Sequence, residues 1–86
     1  PLEGVRIVEF SGSIAGPSAT MILAQLGADV IKVEPPAGDD ARAWPPHVGD
    51  RSVVFRQMCA GKRGIVLDLK QPLAVEIALE LCDGAA

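Results

Sequence analysis

Val5–Glu34 reads VRIVEFSGSIAGPSATMILAQLGADVIKVE, and its changing periodicity decides the fold. Val5, Ile7, Val8 and Phe10 make a β-branched and aromatic run suited to an interior strand over Val5–Phe10. The small residues of Ser11 to Gly16 break that run. Pro17 suits the first turn of a helix, where its missing N–H costs no hydrogen bond, and Ala19, Ile22, Leu23 and Leu26 follow at helical spacing. Gly27 is expected to end the helix, because glycine accepts the left-handed conformation of many C-terminal caps. Asp29–Glu34, DVIKVE, then supplies a second strand through Val30, Ile31 and Val33. Strands joined by such a helix lie parallel with a right-handed crossover. GSIAGP, Gly12–Pro17, is thereby placed at the carboxyl edge of the first strand, where open parallel sheets bind ligands.

Outward from this unit, Pro35–Ser52 carries PP, GDD, WPP and GD, a composition that neither helix nor strand periodicity describes. A loop of about 18 residues is expected there, long enough to be functional or an interface. Ser52–Cys59 fits either a strand or a helical turn and is assigned as a short helix. Gly64–Leu69, GIVLDL, reads as a third strand. Pro72 marks the start of another helix, with Ala74, Ile77, Ala78 and Leu81 on its apolar face and Glu76 and Glu80 toward water. The expected class is α/β: a βαβ unit with a third parallel strand and a second long helix.

With 86 residues the chain is one domain or a piece of one. It opens on PLEG and stops at CDGAA after a helical pattern, where an alternating α/β order next lays down a strand, so a fragment is expected. Apolar residues make up 49% and charged residues 22%, as in folded soluble chains and unlike disordered ones. No apolar run approaches the roughly 20 residues needed to span a bilayer. The opening PLEGVRIVEF lacks the pattern of a signal peptide, which points to a cytoplasmic or organelle-matrix location. A net charge of -3 gives no broad basic footprint for nucleic acid. Cys59 and Cys82 are unclustered, and with one histidine in the chain they indicate neither a zinc site nor a disulfide scaffold. Both are expected to be buried small hydrophobes.

GSIAGP is not the G-x-G-x-x-G of dinucleotide folds, with Glu34 the other fragment of such a fingerprint, and it lacks the Lys-Ser or Lys-Thr of a P-loop. Two readings stay open: a structural tight turn, or a loop offering backbone N–H groups at a helix N-terminus to an anion. Lys62 and Arg63 in GKR read as a solvated face at the sheet's amino edge, whereas Lys70 in LDLK falls at the same carboxyl edge as GSIAGP. His47 has no partner at a catalytic spacing, and Asp39, Asp40 and Asp50 read as solvated turn acids. Nothing forms a triad, a carboxylate pair with a role or a metal cluster, so no catalytic residue is assigned.

Taken in order, PLEGVRIVEFSGSIAGP, LAQLGADVIKVEPPAGDDAR and GKRGIVLDLKQP resemble the amino-terminal segment of the family III CoA transferases, which include formyl-CoA and carnitine-CoA transferases and α-methylacyl-CoA racemase. The resemblance spans essentially the whole chain. It implies the first part of a Rossmann-like large domain, residues 1–86, in a much longer chain that forms an interlocked homodimer. It implies transfer of CoA from an acyl-CoA to a carboxylic acid through a catalytic aspartate downstream of this segment, without a metal. It also implies CoA contacts at Ser13, Ile14 and Ala15 in the first turn and at Leu67, Asp68, Leu69 and Lys70, with Lys70 near the anionic phosphates. Several relatives carry an arginine where Pro35 follows Glu34; Arg42 in GDDAR is the candidate to supply that charge. Ile14 stands where formyl-CoA transferases have glutamine. The stretch WPPHVGDRSVVFRQM resembles the transferases more than the racemases, which makes a 2-methylacyl-CoA racemase or a truncated non-catalytic homologue the alternative.

Overall fold

The chain runs β1 (Arg6–Glu9), α1 (Ala15–Gln25), β2 (Asp29–Glu34), a 3-10 turn (Asp40–Ala43), β3 (His47–Val48), β4 (Arg51–Ser52), α2 (Val53–Cys59), β5 (Arg63–Val66) and α3 (Pro72–Cys82) in the computed structural model, which describes residues 1–86. β1, β2 and β5 form one parallel sheet with β2 at its centre. Glu9 pairs in register with Lys32, and Val33 with Ile65. This is the expected α/β architecture. The central strand is buried along nearly its whole length, including the charged side chains of Lys32 and Glu34.

Side chains alternate across the sheet. Val8, Val33 and Ile65 pack with Leu67 against Ala74, Ala78, Ile77 and Leu81 of α3. The opposite face carries Glu9 and Lys32, which lie under α1. α1 begins at Ala15, earlier than Pro17 suggests, so Pro17 occupies the third helical position. Its N–H would have been unpaired there in any case, since a helix's first turn has no intrahelical acceptors. The helix ends as expected, with Gly27 at φ +101.

Two elements depart from expectation. β5 stops at Val66 instead of reaching Leu69. Leu67 N–H still donates to Glu34 O at 2.9 Å, but Asp68 then turns the chain: its Oδ1 accepts Lys70 N–H at 3.1 Å and its carbonyl accepts Gln71 N–H at 2.9 Å. Asp commonly makes such local turns with its own side chain. The Pro35–Ser52 segment is also more ordered than its composition suggests. Asp39 caps the 3-10 turn through Ala41 N–H, and His47–Val48 pairs antiparallel with Arg51–Ser52. α2 forms where the short helix was expected, its N-terminus capped by Ser52, whose Oγ accepts Phe55 N–H at 3.3 Å.

Candidate functional site

The turn after β1 is held from beneath by charged side chains. Lys32 Nζ lies 3.2 Å from Glu9 Oε2, donates to Ser11 O at 3.1 Å, and lies 2.9 Å from Asp39 Oδ2. Glu9 Oε1 accepts from Thr20 Oγ1 of α1 at 2.9 Å and lies 2.8 Å from Lys62 Nζ in an ion pair, while Lys62 donates to Pro17 O at 3.1 Å. Asp39 Oδ1 accepts the Ser13 N–H at 3.1 Å and the Ala41 N–H at 3.0 Å. Its Oδ2 is buried and in ionic contact with Lys32, without a well-aligned hydrogen bond. Two carboxylates and two ammoniums, each side chain at most 4% exposed, thus form a neutral cluster.

Burial acts to raise the Glu9 carboxyl, but hydrogen bonds from Lys62, Thr20 and Lys32 outweigh it and hold the group below its ordinary value. Asp39 behaves alike: burial raises it, and Ala41 N–H, Lys32 and Ser13 N–H bring it lower. Burial lowers Lys32, while Asp39 and Glu9 more than reverse this and raise it. The folded state therefore binds fewer protons than the unfolded chain in the acid range, so the carboxylates' contribution is complete above about pH 5 and is lost as pH falls through their depressed values. The Lys32 contribution is complete below about pH 10 and is lost as pH rises through its raised value. Urea unfolding is expected to give a flat stability plateau from about pH 5 to about pH 8, a fall in acid, and a fall above that range where the raised Cys59 thiol stays protonated in the fold alone. A steep loss between about pH 6 and about pH 8 would contradict the cluster's charge assignment.

Two clefts open at the carboxyl edge above this cluster. The first, about 240 Å³, is bounded by Ser11, Gly12 and Ser13 on one side and by Glu34, Asp39 and Asp40 on the other. The second, about 320 Å³, runs over Leu67, Asp68, Leu69 and Lys70. Phe10, Val33 and Pro35 line both, so the clefts adjoin across these residues as the two parts of a groove from the first turn to LDLK. Ser13, Leu67, Asp68, Leu69 and Lys70 therefore share a groove. Ile14 and Ala15 line neither cleft; Ile14 is the exposed residue preceding α1, and Ala15 is the helix's first residue.

Arg42 stands apart from the groove. Its Nε and Nη2 grip the Glu34 carboxylate, each at 2.8 Å, and its guanidinium stacks 4.3 Å from the centre of the Phe55 ring. This fork holds the Glu34 carboxyl below its ordinary value and engages both of its oxygens, Oε2 also accepting Asp39 N–H at 2.8 Å.

Several expectations need correction. Asp39 is a buried anchor, not a solvated turn acid, because Lys32 lies beneath it. Lys62 is not on a solvated face: its long chain reaches under α1 to Glu9. Arg63 does remain exposed, paired with Asp29. Cys82 is exposed and Cys59 only half-buried, so neither is a fully buried hydrophobe. Burial pushes the Cys59 thiol up. His47 is exposed near Arg42 O. The roles of Glu9 and Lys32 were not anticipated, although charges within the apolar runs VRIVEF and DVIKVE are the signal that finds them: a charge on a buried strand requires a partner.

Residues 2–86 match the family model for CoA-transferase family III. The succinyl-CoA:glutarate CoA-transferase of Mus musculus is 50% identical over 88 aligned positions, covering 96% of this chain and 20% of that protein. The acetyl-CoA:oxalate CoA-transferase of Acetobacter aceti is 43% identical over 82 positions, covering 94% of this chain and 21% of the relative. This chain therefore spans about a fifth of the length of these curated relatives. The crystal structure of a CAIB/BAIF family protein from Brucella suis superposes with a TM-score of 0.90 at 39% identity, over 99% of this chain and 24% of that one. With the family model matched over nearly every residue and the same fold in a solved relative, this chain belongs to CoA-transferase family III.

Proposed function

We propose that this chain is the CoA-binding segment of an acyl-CoA:carboxylate CoA-transferase whose catalytic aspartate lies outside these residues. The observation that carries the reading is the single groove joining Ser11–Ser13 to LDLK across Phe10, Val33 and Pro35. Its chemistry suits CoA and gives the molecule a direction. Phe10, Leu67 and Leu69 offer apolar surface for the adenine, and Lys70 offers a cation for the 3′-phosphate or pyrophosphate. At the opposite end Glu34 and Asp39 are already paired with Arg42 and Lys32, and Asp40 adds a negative charge without a cationic partner, which disfavours phosphates there and suits the uncharged pantetheine arm.

A carboxylate nucleophile elsewhere in the protein divides acyl exchange into easier covalent steps, and the groove's task is to hold the thioester toward it. The acceptor class is a small carboxylic acid, as in the names of the related transferases. Val75 and Leu79 are neighbours on the outer side of α3 and both exposed, which supports a working unit larger than these residues, such as the full-length homodimer.

Lys70→Ala in the full-length protein is expected to raise the KM for the acyl-CoA about ten-fold, from loss of a charge-assisted contact, with kcat little changed. Steady-state kinetics with CoA thioesters checks this. An unchanged KM in both Lys70→Ala and Lys70→Glu would overturn the placement of the phosphates.

A further inference from the structure

We propose that Asp39 is a positioning residue for CoA, clamping the first turn into the shape that forms the groove's lip; this deepens, and rests on, the CoA-groove reading. Ser13 is the one non-glycine residue with a positive φ, at 66. A side chain disfavours that conformation, so something outside the turn must hold it. The Asp39 Oδ1 contact to Ser13 N–H does so from 26 residues away in sequence. Lys32 holds the other end of the same turn through Ser11 O, and Lys32 and Asp39 are themselves in contact. Gly12 lies over the same carboxylate, where a Cβ added to it would meet Asp39 Oδ1 at an ordinary contact distance of 3.4 Å.

The clamp thus fixes both ends of Ser11–Ser13, the residues that form one wall of the groove. Ala41 N–H shares Oδ1, which ties the 3-10 turn to the same carboxylate and keeps Asp39 from swinging away. Asp39 acts on CoA through Ser13 and not as a catalytic group.

The test is steady-state kinetics on the full-length transferase, with an acyl-CoA as the varied substrate. Asp39→Ala is expected to raise its KM about ten-fold while kcat stays within about two-fold. Adding Ser13→Gly, which removes the conformational penalty of the left-handed backbone, is expected to recover most of the KM without restoring thermal stability. A purely structural role predicts the opposite: KM and kcat worsening together, with no rescue. Should Asp39→Ala not fold, Asp39→Asn removes the charge toward Lys32 but keeps an oxygen that can accept the Ser13 N–H, so its KM is expected to stay within about two-fold of the parent while thermal stability falls, and a ten-fold rise in KM there would overturn the clamp. An unchanged KM in Asp39→Ala overturns the proposal. Lys70→Ala measured alongside separates the two readings: a KM effect at Lys70 but not at Asp39 sinks positioning alone, and no effect at either sinks the groove with it.

Discussion

Glu9→Ala is expected to destabilise the fold by about 3–5 kcal/mol, the usual cost of leaving a buried charge without its partner. Glu9 is the only carboxylate in contact with both Lys32 and Lys62, and the two ammoniums are 3% and 1% exposed. Its removal leaves one cation facing Asp39 and the other with only the Pro17 carbonyl. Against a typical stability of about 5–15 kcal/mol, such a loss is large. Urea unfolding of the full-length protein should show it as a large fall in midpoint, or as insoluble expression. Asp29→Ala provides the control. It breaks the exposed pair with Arg63, where each side chain is at least 41% exposed, and should cost no more than about 1 kcal/mol. Equal effects at Glu9 and Asp29 would contradict the burial argument.

Gly16→Ala carries the second large effect, for a steric reason. A Cβ on Gly16 would overlap both Oγ and Cβ of Ser11. Ser11 cannot retreat without losing its Oγ contact to Glu9 Oε2 at 3.2 Å and disturbing its carbonyl contact to Lys32. The substitution is expected to cost about 1–3 kcal/mol in overpacking and to raise the KM for acyl-CoA, since the groove wall moves with Ser11. Thermal unfolding and kinetics together check this. Ser11→Gly in the same chain should relieve the clash; Ser11→Ala should not, because its Cβ still collides.

The βαβ unit was legible because Val, Ile and Phe alternate with a clear helical stretch between them, and Gly27 punctuates it. β5 was overextended for a local reason: Leu67 and Leu69 continue the strand's alternation, while Asp68 bends the backbone through its own carboxylate. LDLK could still be placed at the carboxyl edge, because strand direction does not depend on where the strand stops. The buried cluster was hidden by sequence distance. Asp39 in GDD has the composition of a turn, and only the sheet brings Lys32 beneath it. Lys62 was misplaced because topology locates its backbone at the amino end, whereas its side chain extends to Glu9. Arg42 was expected to supply a charge to the ligand, but the bidentate geometry that makes arginine good at this task is already used on Glu34.

The burial of Lys32 and Lys62, contrasted with the exposure of Lys70, has a consequence for how dissolved ions act on the groove. At an ionic strength of 0.1 M, charges in water are screened over about 10 Å, while pairs sealed from solvent are screened much less. Added salt therefore weakens the attraction of Lys70 for phosphate but leaves the Ser11–Ser13 wall in place. If the groove takes CoA as proposed, its two ends respond to the same electrolyte differently: one would hold the ligand by a field that counterions reach, the other by a shape that they do not.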